Sequence, residues 1–77
     1  MKEIIVLGPG CPRCDQLVKV ARRAAEELGI EYHLEKRGDF REFQKYGLMM
    51  TPGLVVDGAL KVQGKVPSVE DIKTMLA

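Results

Sequence analysis

The sequence has no excess of charge. Its 77 residues carry twelve Lys and Arg against eleven Asp and Glu, interspersed to a net +1. That leaves no electrostatic footprint for nucleic acid or for an anionic membrane. Long apolar runs are also missing: Met1-Lys2-Glu3 leads into Ile4 to Leu7, too short for a secretory h-region and far too short to span a bilayer. A cytoplasmic location is expected by default. No low-complexity tract or internal repeat interrupts a composition that is 45% hydrophobic and 30% charged, so disorder is not expected. At 77 residues, 1–77 should form a single domain with one compact core, near the lower limit of what folds without staples. Cysteine is scarce, and the two in the chain suit a catalytic dithiol better than a secreted disulfide framework.

Those two cysteines form one motif, Cys11-Pro12-Arg13-Cys14. It follows a short apolar run and precedes a helical pattern with apolar positions at Cys14, Leu17, Val18, Ala21, Ala24, Ala25 and Leu28. The spacing predicts Cys11 at the N-cap and Cys14 one turn inside, leaning under the helix. Unpaired backbone N–H groups and the positive end of the helix dipole converge there and favour a thiolate at Cys11. Pro12 suits the first helical position, since its missing N–H would have had no partner. Arg13 adds a permanent positive charge beside the pair. The pattern therefore predicts a reactive dithiol, with Cys11 as nucleophile and Cys14 as resolving thiol.

Other uses of the motif compete with this one. A structural disulfide three residues long would close a tiny loop, worth roughly 2 kcal/mol by chain entropy against nearly 5 for a long one. A zinc site needs four ligands, and the sequence offers no second C-x-x-C and a single histidine, His33, in a distant strand-like stretch. A two-thiolate clamp for a soft metal, as in a metallochaperone, stays open. So does a redox sensor without turnover.

Along the chain, Ile4 to Leu7 reads as a strand buried on both faces. Gly8-Pro9-Gly10 ends it, and a helix from about Cys11 to Leu28 is capped by Gly29. Ile30 to Lys36 alternates as a second strand, completing a right-handed βαβ unit. Asp39 is a candidate N-cap for a short helix whose Phe40, Phe43 and Tyr46 read as core, ending at Gly47. Gly53 to Val56 is a third strand. Asp57-Gly58 signals a hairpin into Ala59 to Gln63. Ser68 caps a final helix with Val69, Ile72, Met75 and Leu76 on its buried stripe. Arg22-Arg23 and Lys36-Arg37, the basic pairs, read as solvated faces.

The order βαβαββα, with C-x-x-C at the start of the first helix, resembles the thioredoxin fold in its short glutaredoxin-like form. The resemblance covers essentially the whole chain. It implies an α/β domain with a four-stranded mixed sheet, ordered second, first, third, fourth strand, with the first and third helices on one face and the second on the other. Thr51-Pro52, just before the third strand, matches the position of the family's cis-proline beside the active-site disulfide. There the backbone of Thr51 would pair with an extended substrate peptide. Met49 and Met50 could line that rim, or one could fill the core. Gly8, Cys11 and Cys14, with Gly64, Pro67 and Ser68, are similar to the very small prokaryotic thioredoxin-like proteins known as redox-active disulfide proteins. The chain departs from thioredoxins in having no tryptophan and no aspartate within Ile4 to Leu7. Where glutaredoxins carry a Gly-Gly and acidic pair for glutathione, it has Gly64-Lys65-Val66-Pro67-Ser68.

The resemblance implies a thiol-disulfide oxidoreductase of the protein-disulfide reductase type. It would need no metal or organic cofactor beyond a reversible Cys11–Cys14 disulfide. Its partners would be protein disulfides and an external reductase or small-thiol reductant, and it would act as a monomer.

Overall fold

A computed structural model describes residues 1–10 and 12–77. Its elements run β1 (Lys2–Leu7), α1 (Pro12–Leu28), β2 (Tyr32–Arg37), α2 (Phe40–Lys45), β3 (Gly53–Val56), β4 (Ala59–Gln63) and α3 (Val69–Leu76). The sheet order is β2-β1-β3-β4, with β1 parallel to β2 and β3 antiparallel to both β1 and β4. This is the α/β architecture and strand order that the thioredoxin-like resemblance implies.

The central strand explains the layering. Successive side chains of β1 point to opposite faces, and both faces are covered. Ile4 and Val6 join Leu54, Val56, Leu17, Ala21 and Ile72 in one core cluster, which holds α1 and α3 against the sheet. Ile5 and Leu7 join Val55 and Phe43 in a second cluster, which holds α2 on the opposite face. On α1 the residues turned to the sheet include Ala21, Ala24 and Ala25, whose short side chains let the helix lie close.

The ends of the elements follow their hydrogen bonds. β1 begins at Lys2, before the apolar run, because the Lys2 N–H donates to the Glu31 carbonyl at 3.0 Å and strand pairing needs only backbone. β2 runs Tyr32–Arg37 rather than 30–36. The Ile30 N–H turns back to the Ala25 carbonyl at 3.4 Å, while the Arg37 carbonyl accepts from the Gly8 N–H at 2.9 Å. Asp39 and Ser68 cap α2 and α3 by accepting from the backbone N–H groups of Arg41 and Asp71. Asp57 and Gly58 both have positive φ, as a type I′ hairpin turn requires.

Two readings of the sequence are corrected. Phe40 is 77% exposed, not core, whereas Phe43 one turn later is 7% exposed. Phe40 stands at the first position of the six-residue α2, outside the second core cluster, with its ring against Phe43 and the centroids 5.6 Å apart. Lys36-Arg37 is not a plain solvated face either: Lys36 pairs with Asp15, and Arg37 with Glu35 and Glu42. The difference between the phenylalanines is measurable in urea unfolding. Phe43→Ala is expected to cost about 3–5 kcal/mol, and Phe40→Ser to stay within about 0.5 kcal/mol of the parent.

Candidate active site

The candidate site lies at the carboxyl end of β1, where the chain turns into α1. α1 begins at Pro12, so Pro12, Arg13 and Cys14 make its first turn, and Cys14 is fully buried. The placement of Cys11 at the N-cap concerns a residue outside those described. Gly8 makes the pocket for the Cys14 sulfur. A Cβ on Gly8 would fall on top of Cys14 Sγ and 3.1 Å from Cys14 Cβ, so the absent side chain of residue 8 is the space the thiol occupies.

The Thr51–Pro52 peptide bond is cis. Pro52 is buried and Thr51 exposed. Gly53, the next residue, pairs with Leu7, which places the cis peptide across the sheet from the Leu7-Gly8 end of β1. Three hydrogen bonds fix this loop to the end of β4. The Gly64 N–H donates to the Pro52 carbonyl at 2.9 Å, and Gln63 Oε1 accepts from the N–H groups of Met49 and Met50 at 2.8 and 3.3 Å.

Arg13 joins the same assembly. Its guanidinium donates to the Gly64 carbonyl at 3.1 Å, so the first turn of α1, the β4–α3 connection and the cis-proline loop are linked in sequence through Gly64. Sequence reasoning assigned Arg13 to the electrostatics of the thiol pair. The contact it makes is with the backbone of Gly64, which is itself bonded to Pro52.

Met49 and Met50 are both at the surface, 88% and 61% exposed, and neither fills the core. With Phe40 they place three exposed large apolar side chains around the cis-proline loop. A groove of about 470 Å³ runs beside it, lined by Pro9, Phe40, Phe43, Leu48, Met49 and Thr51. A shallower depression of about 550 Å³ lies at the other end of the sheet among Met1, Lys2, Ile30, Glu31 and Asp57, away from the cysteine motif.

On the α1 side of the site, Lys36 Nζ meets Asp15 Oδ1 at 2.6 Å. The sequence carried no signal of this pair, because the partners are 21 residues apart and meet only through the parallel register of β2 on β1. His33 approaches Glu35 at 3.5 Å on the opposite face of β2. Hydrogen bonds from Arg37 and then from His33 hold the Glu35 carboxyl below its ordinary pKa. Among the described residues, no group of three or more His, Cys, Asp or Glu side chains could hold a metal ion.

The thioredoxin domain profile matches residues 2–77. A thioredoxin of Methanothermobacter thermautotrophicus is 44% identical over 77 residues, all of both chains. The chain belongs to the thioredoxin family. A thioredoxin of Methanocaldococcus jannaschii is 40% identical over 76 residues, covering 99% of this chain and 87% of that one. The solution structure of a dimeric thioredoxin-like protein from Nitrosomonas europea superposes with a TM-score of 0.56 at 26% identity, over 94% of this chain and 95% of that one. The protein is thus a thioredoxin-like thiol-disulfide oxidoreductase. No helix among the described residues is long and apolar enough to cross a membrane.

Proposed function

We propose that this thioredoxin-family protein reduces protein disulfides through Cys11-Pro12-Arg13-Cys14, with Cys11 attacking and Cys14 resolving. The observation that carries the reading is the seat of Cys14: a fully buried residue in the first turn of α1, packed on Gly8 at the end of β1, whose Leu7 pairs with the Gly53 that follows the cis Thr51–Pro52 bond. A thiol so enclosed does not meet a protein substrate first. It is placed to act on a disulfide already delivered to its own motif.

In the proposed cycle the Cys11 thiolate attacks one sulfur of a substrate disulfide. A mixed disulfide forms, and the other substrate sulfur leaves as a thiolate that takes up a proton. Cys14 then loses its proton and attacks Cys11 Sγ. The intermolecular bond breaks, the second substrate thiol departs, and two electrons have passed from the dithiol to the substrate. No metal or organic cofactor enters. A flavin- or ferredoxin-linked reductase, or a small-thiol reductant, must restore the dithiol, which suits a cytoplasmic setting.

The apolar groove fits a substrate segment with a hydrophobic side chain next to its disulfide, laid along exposed Thr51 as an added strand. One copy of the chain contributes every element of this surface, so a monomer suffices. The test is the equilibrium of the Cys11–Cys14 pair against a graded dithiothreitol buffer, read by alkylation and mass. A single two-electron transition near the thioredoxin value of about −270 mV is expected, one near about −120 mV would mark an oxidant, and failure to form the disulfide in any buffer would sink the reading and favour a soft-metal clamp.

A further inference from the structure

One residue holds the cis-proline loop at both ends. Gln63, the last residue of β4, pairs through its backbone with Gly53, just past the cis bond. Its side chain reaches the stretch before that bond, where Oε1 accepts from the N–H groups of Met49 and Met50 at 2.8 and 3.3 Å. Two donors meeting one atom fix the orientation of the amide, since its nitrogen has no lone pair to offer them. Thr51 and Pro52 are therefore the span between two attachments to the same residue.

Strand alternation sets the direction of that side chain. Val62 packs into the cluster under α1 and α3, so Gln63, next along β4, turns to the α2 face. That is the face of the apolar groove, which Leu48, Met49 and Thr51 line. Gly64 completes the attachment. Its N–H donates to the Pro52 carbonyl at 2.9 Å, and a Cβ there would lie 3.1 to 3.3 Å from Met50 Cε, Cβ and Sδ, so the Met50 side chain lies against it. Residues 48–52 belong to no strand or helix, and these contacts supply the order that a ladder would otherwise give. Thr51 stays exposed between them.

We propose that Gln63 is a positioning residue for protein substrates: by taking up the Met49 and Met50 N–H groups it fixes exposed Thr51 and the adjoining groove wall before a substrate arrives. This rests on the reading that a protein disulfide is reduced here with its chain laid along Thr51. Adding a strand requires both partners to be ordered, and an edge that is already ordered loses less freedom on binding. A small disulfide makes no such pairing. Gln63 therefore discriminates between substrate classes rather than setting the reactivity of the thiols.

The test compares Gln63→Met, which keeps the length of the side chain and removes the acceptor, with Gln63→Glu, whose carboxylate accepts from both N–H groups. Pre-reduced protein is mixed in single turnover with insulin, a protein disulfide, and with hydroxyethyl disulfide, a small neutral one, and its oxidation is followed by mass. Salt at about 0.15 M screens the added charge beyond roughly 8 Å. For Gln63→Met the ratio of the two rate constants, insulin over small disulfide, is expected to fall about three- to tenfold, the size expected from losing one or two neutral hydrogen bonds. Gln63→Glu should keep the parent ratio. Amide hydrogen exchange at Met49 and Met50 should quicken in Gln63→Met while the β1 and β3 amides keep their protection, which also reports an intact fold. An unchanged ratio in Gln63→Met, an equal fall in Gln63→Glu, or unchanged exchange at both methionine amides overturns the inference while the reductase reading stands. A parent that does not reduce insulin overturns the reductase reading and the inference with it.

Discussion

Cys14→Ser should turn the protein from a turnover reductant into a trap. With Cys11 free to attack and nothing to resolve the product, a mixed disulfide between Cys11 and the substrate accumulates toward one per chain, visible on a non-reducing gel and lost on adding dithiothreitol. Cys11→Ser should form no adduct and lose turnover by a factor on the order of 10⁴ to 10⁶, the usual cost of removing a nucleophile. The asymmetry rests on burial, since Cys14 has no exposed surface and a folded substrate cannot approach it. A serine places a polar hydroxyl in a fully buried seat, so Cys14→Ala serves as the companion variant. It removes the resolving sulfur without introducing a polar group, and must trap as well. Trapping by the Cys11 variant and not by the Cys14 variants would exchange the two roles.

The parts of this site that were legible in sequence share a property: each is fixed by residues close together in the chain. The strand, glycine break and helix around Cys11 to Cys14 can be read from β-branched residues, Gly8-Pro9-Gly10 and a helical stripe, and the burial of Cys14 follows from that stripe. The cis Thr51–Pro52 bond was legible through resemblance alone, because proline before a strand is equally ordinary in trans. What stayed hidden depends on register. Lys36 meets Asp15 because β2 is parallel to β1 with Val6 opposite Lys36, and no local pattern encodes which residue of a strand lies beside a helix terminus. Arg13 reaches Gly64 across 51 residues for the same reason. The exposure of Phe40 departs from the sequence reading because i, i+3 spacing defines a helix face but not which of its positions the core reaches: Phe43 lies in the second cluster and Phe40, one turn earlier, does not.

Gly8 is where the fold and the proposed chemistry make the same demand, and Gly8→Ala should show both. The residue has no positive φ to favour glycine, so the constraint is steric. The added methyl would occupy the position of Cys14 Sγ. The backbone cannot easily retreat, because the Gly8 N–H is bonded to the Arg37 carbonyl at 2.9 Å and the Gly8 carbonyl lies 3.1 Å from where a Cβ on Gly38 would stand. The sulfur must move instead, turning Cys14 from its rotamer or tilting the first turn of α1. Overpacking of this kind costs about 1–3 kcal/mol, read as a lower urea midpoint at unchanged slope. The second effect falls on one step of the cycle. A displaced Cys14 sulfur loses its line of attack on Cys11, so resolution slows while the first attack is spared. In stopped-flow mixing with a disulfide substrate, the mixed disulfide should become a populated intermediate, as in a mild form of Cys14→Ser. Because the double substitution Gly8→Ala with Cys14→Ala removes the clashing atom, it should recover part of the lost stability without recovering resolution. If Gly8→Ala matched the parent in both urea midpoint and resolution rate, the Cys14 sulfur would not be held by Gly8 and would not be the seated, resolving thiol.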